Sequence, residues 1–214
     1  MNWVDIVLLV LLVAAVIIGS KKGLIRELMA LAVLAATVIV TINYIDIIAT
    51  KIYEQLGGSP LVTAILSFIV LLAFIYAVFK ILGILFYKVA NLQSLGKKDQ
   101  LGGALVGAVR GWLMISFLIF MVFLLPMPDK FYVEFDNSFL GPSFAKTLPI
   151  IYEGSSPLHP GNPNFMQKVE STLLQRPGSD LSTDERAELS ENREQVYRVI
   201  YRMDKVFGSG DKGI

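Results

Sequence analysis

The sequence predicts an all-α membrane protein: a four-transmembrane-helix bundle with a short, partly helical polar C-terminal extension. Three observations carry this. Of the 214 residues, 54% are hydrophobic and 17% charged, against about 45–50% and about 25% in ordinary globular domains. The charges are unevenly spread: 14 Asp, Glu, Lys or Arg residues lie between Met1 and Leu125, and 23 in the 89 positions from Pro126 onward. Finally, four apolar stretches precede Pro126, each near the roughly 20 residues needed to cross a bilayer core.

The first span covers residues 4–19, anchored by Trp3 at one interface and by Lys21 and Lys22 at the other. The opening Met1-Asn2-Trp3-Val4-Asp5 carries an acid and no base, so an uncleaved span is expected rather than a signal peptide. Span two covers residues 24–45. It follows a tight Lys-Lys-Gly turn, which predicts that spans one and two are antiparallel neighbours. Span three covers residues 61–87, opened by Ser59-Pro60, and span four residues 101–125, closed by Pro126-Met127-Pro128.

Lysine and arginine in short flanking loops set orientation. The two hairpin turns carry seven such residues (Lys21, Lys22, Arg26, Lys80, Lys88, Lys97, Lys98), and the opposite side two (Lys51 and Lys130). The turns are therefore expected in the cytoplasm, with both termini and the tail outside it.

Charged residues inside spans are costly and mark function or pairing. Lys80 lies about 28 Å along its helix from Leu61, so it can snorkel to the headgroups. Asp5 sits one turn into span one; Arg26 and Glu27 sit one turn into span two. Span four is the most informative. At about 100° per residue from Asp99, Gly103 falls near 40°, Val106 near −20°, Gly107 near 80° and Arg110 near 20°. One face thus carries an acid, small residues and a base. The spacing Gly103, Gly107, Gly111 lets another helix approach to backbone contact. Arg110 lies about 13 Å from Leu101 along the helix, and a partner such as Glu27 or Asp99 would lower its cost. Two readings follow: a helix-packing face with a neutralising ion pair, and a proton, ion or solute path through the bundle.

Two motifs in these residues are specific when taken together. The first is Asp5, an apolar span, then Gly19-x2-Lys22-Gly23-x2-Arg26-Glu27. The second is Asp99, Leu101-Gly102-Gly103, then Gly107-x2-Arg110-Gly111. On these the sequence resembles the colicin V production protein family of bacterial inner-membrane proteins, from Met1 to about Leu125 and more loosely over Asn137–Tyr152. The resemblance implies four transmembrane helices, residence in the inner membrane, and a role in toxin production or export and envelope homeostasis. Lys22 stands where the family often has arginine, and Gln100 where a basic residue is common.

The extension divides into a proline-rich segment, 126–181, and a charged amphipathic helix and tail, 182–214. Seven of nine prolines fall between Pro126 and Pro163, which excludes a long regular helix there. Phe139–Ile151 is expected to lie along the membrane surface as a short amphipathic stretch, and Tyr152–Asn164 is expected to be loop. Ser182-Thr183-Asp184-Glu185 has the form of a capping box. It starts a helix to about Phe207, with Leu189, Val196, Ile200, Met203 and Phe207 as its apolar side.

A net charge of +1 gives no pull toward nucleic acid, and no such partner is expected. The chain lacks cysteine, which excludes disulfides, thiolate metal sites and cysteine nucleophiles. No cluster has metal-ligand spacing, so no cofactor is expected. Some relatives implied by the resemblance carry a serine protease after the spans, but 89 residues are too few, and the lone His159 sits among prolines. The expectation is a non-enzymatic membrane component that assembles with itself or with other membrane proteins. A small channel or transporter using Asp5, Glu27, Asp99 and Arg110 is one alternative. An anchor or scaffold for a periplasmic partner is the other.

Overall fold

The computed structural model describes residues 2–56, 60–90, 97–125, 127–155, 157, 164–173 and 183–208. Among these residues the chain is helical, without strands. Four long helices come first: α1 (Trp3–Lys22), α2 (Leu24–Leu56), α3 (Pro60–Ala90) and α4 (Lys97–Leu124). Four short ones follow, α5 (Asp129–Asp136), α6 (Gly141–Ala145), α7 (Thr147–Gly154) and α8 (Phe165–Leu173), and then α9 (Thr183–Phe207). The four long helices each hold a stretch long and apolar enough to cross a membrane.

Local chemistry fixes the boundaries. Asn2 caps α1 by accepting from the Val4 and Asp5 amides, while the Asp5 carboxylate accepts from the Asn2 amide, a reciprocal capping box. At the other end Gly23, at φ 84°, returns its N–H to the Gly19 carbonyl. Pro60 opens α3 in the first helical position, where a missing N–H costs nothing. The helix α2 is longer than its apolar span: it runs through Lys51 to Leu56, because no glycine or proline interrupts it before Gly57.

Packing differs from the order along the chain. The helix α1 lies along α4 and touches α2 little, while α2 packs against both α3 and α4. The expectation that spans one and two are close neighbours is therefore corrected. Connection by a short turn fixes proximity only at the turn, and the glycine face of α4 draws α1 along its whole length.

The tail departs further from expectation. The expected single amphipathic stretch Phe139–Ile151 is divided between α6 and α7, and its Phe144 and Leu148 are fully buried within the protein. Trp112 of α4 stacks on Phe144 with ring centroids 4.0 Å apart and donates from Nε1 to Thr147 Oγ1 at 2.7 Å. The last turns of α4 present Phe117, Phe120 and Phe123, which meet Phe68 of α3, Phe135 of α5, Phe165 of α8 and Phe207 of α9. The extension thus wraps one end of α4 and continues the bundle's core. On α9, Val196, Met203 and Phe207 are buried and Ile200 is partly so, as the spacing predicts. The expected 152–164 loop is corrected at its start, where Tyr152–Gly154 continue α7 with Tyr152 buried; most of its remainder, Ser182 and the Leu189 side chain lie outside the described residues. The N-terminus shares this end of the bundle: Trp3 faces Phe131 with centroids 6.3 Å apart, and Asn2 Nδ2 donates to the Glu134 carbonyl.

Candidate functional site: a charged cluster and a glycine seam

A run of small residues brings α1 and α4 to backbone contact. A Cβ built on Gly19 would stand 2.4 Å from the Gly103 carbonyl oxygen and 2.7 Å from Gly107 Cα. One on Gly107 would stand 2.8 Å from Gly19 Cα and 2.9 Å from the Ala15 carbonyl oxygen, and one on Gly111 would stand 2.4 Å from the Ala15 Cβ. Lipid supplies no hydrophobic drive between helices, so close packing of this kind holds the pair. The glycine face of α4 is therefore occupied within the chain, by α1.

This seam aligns the turn after α1 with the start of α4. Asp99 Oδ1 accepts from the Leu24 amide at 2.8 Å, and its other oxygen occupies the place a Cβ on Gly23 would need, 2.2 Å away. Asp99 serves as an N-terminal anchor for α2, where a carboxylate also suits the helix dipole. Arg110, close to Asp99 in the helical projection, forms its ion pair with Glu27.

Glu27 is fully buried one turn into α2. Arg110 Nε lies 2.7 Å from Glu27 Oε2, with its side chain 15% exposed, and Lys22 Nζ lies 3.6 Å from Glu27 Oε1. Among the described residues neither Glu27 oxygen accepts an aligned hydrogen bond, so charge and proximity hold the contact. In a low-dielectric interior this attraction offsets much of the desolvation of both groups. Of the two acids that the sequence offers Arg110, Glu27 and Asp99, the structure pairs it with Glu27.

Beside this pair a cleft of about 640 Å³ opens between α2, α3 and α4. Lys22, Arg26 and Arg110 border it, and so does Lys80 of α3, 5.6 Å from the Tyr76 ring centroid. The sequence assigns Lys80 only to snorkelling; its separation from Arg26 by some 54 positions hides the shared lining. Asp5 stands apart from all of these, at the other end of α1. Its buried carboxylate accepts from the Leu140 amide at 2.9 Å and from the Asn2 amide at 3.0 Å, tying α1 to the entry of α6. The eleven residues singled out from sequence therefore form three groups, not one: the seam with its Gly23–Asp99 turn, the charged cluster, and the Asp5 clamp. Asn2, Leu140, Trp112 and Thr147 escape the sequence reading, since no pattern in it pairs Asp5 with Leu140 or Trp112 with Thr147.

Four apolar spans with buried charges between them define a helical membrane protein. The profile of the family described as Colicin V production protein matches residues 4–149, more than half of the chain. The chain belongs to that family. No curated protein and no solved structure matches it.

Proposed function

We propose that the chain is a multi-pass protein of the bacterial inner membrane that acts, without catalysis, in colicin-type toxin production or export and in envelope homeostasis. The buried Glu27–Arg110 pair carries the reading. It lies inside the family-matched region, joins α2 to α4, and gives the polar residues of the spans a structural use. Asp5 and Asp99 are likewise engaged by backbone N–H groups at opposite ends of α1. A channel that passes Asp5, Glu27, Asp99 and Arg110 in series finds less support in such an arrangement. In this proposal both termini lie in the periplasm and the basic turns in the cytoplasm, following the bias of lysine and arginine. The chain works with other membrane proteins or further copies of itself, through faces other than the occupied glycine seam. An anchoring role for a periplasmic partner has less support, because the apolar side of α9 is spent on the bundle.

The test is complementation of a deletion strain. The wild-type chain should restore toxin release and resistance to envelope stress, and Arg110→Leu should not, at equal membrane abundance. Full restoration by Arg110→Leu would remove the cluster from the function. Flux through liposomes above the empty control, abolished by the same substitution, would replace the reading with a transporter.

A further inference from the structure

We infer that the cleft between α2, α3 and α4 is a binding site for an anionic phospholipid. Its lining is segregated along the helix axes. Lys22, Arg26, Lys80 and Arg110 stand toward one end, and Val38, Leu72 and Phe117 line the other. From Arg26 to Val38 the α2 wall runs about 18 Å, slightly more than one leaflet's half of the roughly 30 Å hydrocarbon core. Among the described residues no carboxylate lines it; Glu27 lies behind, fully buried against Arg110 and Lys22. The site therefore offers cations at one end and an apolar trough along the rest.

That pattern selects one chemistry. A phosphate diester accepts from guanidinium and ammonium donors, and basic pockets between transmembrane helices recognise acidic headgroups on this principle. A free phosphate would satisfy the cations and leave the trough unused. A zwitterionic lipid would fill the trough, but its headgroup brings a cation of its own against four basic side chains that Glu27 partly offsets. An acidic phospholipid uses both, with its acyl chains along Val38, Leu72 and Phe117. The volume, about 640 Å³, is within the usual range for a ligand pocket, and it holds the headgroup and the first part of the chains. The site stands independently of the cellular role proposed above.

The experiment is native mass spectrometry of the detergent-solubilised full chain, titrated with phosphatidylglycerol or with phosphatidylcholine of the same acyl chains. Phosphatidylglycerol should be retained preferentially. Lys80→Gln, on an exposed position of α3, should weaken its retention about fivefold while leaving phosphatidylcholine unchanged. Gly83→Leu, which adds a side chain beside Val33, should weaken retention of both lipids, with helical content by circular dichroism unaltered. Millimolar inorganic phosphate should fail to displace the lipid. Equal retention of the two lipids, indifference to Lys80→Gln, or full displacement by inorganic phosphate would each overturn the assignment.

Discussion

Arg110 Nε lies 2.7 Å from Glu27 Oε2, and this contact joins two helices through residues 83 positions apart in the chain. A charge at membrane depth is tolerable when another neutralises it, and costly when that partner is removed. Glu27→Gln or Arg110→Leu alone should each destabilise the fold by about 3–5 kcal/mol, and the double substitution by clearly less than the sum. Denaturant titration of the four proteins in micelles measures the coupling. Additive losses would show that the pair is not an energetic unit.

The α1–α4 seam sets a second expectation. Gly107→Leu should abolish it, because even a Cβ would stand 2.8 Å from Gly19 Cα. Gly83→Ala, where the nearest atom is a Val33 methyl at 3.3 Å, should be close to neutral. Membrane abundance and thermal aggregation of the two variants separate these outcomes.

At the opposite end, Asp5→Ala removes the acceptor for the Leu140 and Asn2 amides. Both donors are part-buried, so each loss should cost about 1 kcal/mol, the low end for an unsatisfied donor. The loss should appear locally, as faster hydrogen exchange at the Leu140 amide and easier proteolysis of the 127–140 segment. Uniformly faster exchange through the spans would assign Asp5 a global role instead.

The docking of α9 combines packing with charge. Phe207, 2% exposed among Phe120, Phe123 and Phe165, should cost about 3–5 kcal/mol on truncation to alanine. Asp136 hydrogen-bonds Lys205 and holds its ammonium above the ordinary lysine value of 10.5. A raised folded pKa means that this stabilisation is fully present below pH 10.5 and is lost as pH rises through the elevated value. Both groups touch water, so the effect is modest and screened by salt. Release of α9, followed by a probe at the exposed Tyr201 position, should increase above that pH in wild type and not in Asp136→Asn.

The spans are legible because about 20 consecutive apolar residues are hard to accommodate anywhere but across a bilayer, and Glu27 is among the partners that Arg110 demands. What stays hidden has physical causes. Gly19 and Gly107 are both small, but smallness does not say which helix meets which, so chain order suggests α2 as the partner of α1 where α4 in fact packs. Phe117, Phe120 and Phe123 read equally well as lipid-facing or protein-facing, since hydrocarbon and a phenylalanine cluster are alike to a hydropathy scale. The burial of Phe144 and Leu148 therefore emerges only with the fold. Asp5 is placed correctly on α1 by the sequence, but its acceptor role depends on Leu140, 135 positions away.

The Gly23 turn has a consequence for how the chain can change over generations. The φ of 84° and the carboxylate of Asp99 in the place of a Cβ make positions 23 and 99 a single heritable unit. A side chain at 23 is strained at this φ whatever stands at 99 and meets the carboxylate besides, while a smaller 99 surrenders the Leu24 amide. Neither position has a viable single step away from its present residue, so variation in this protein should flow around the turn and leave both residues together.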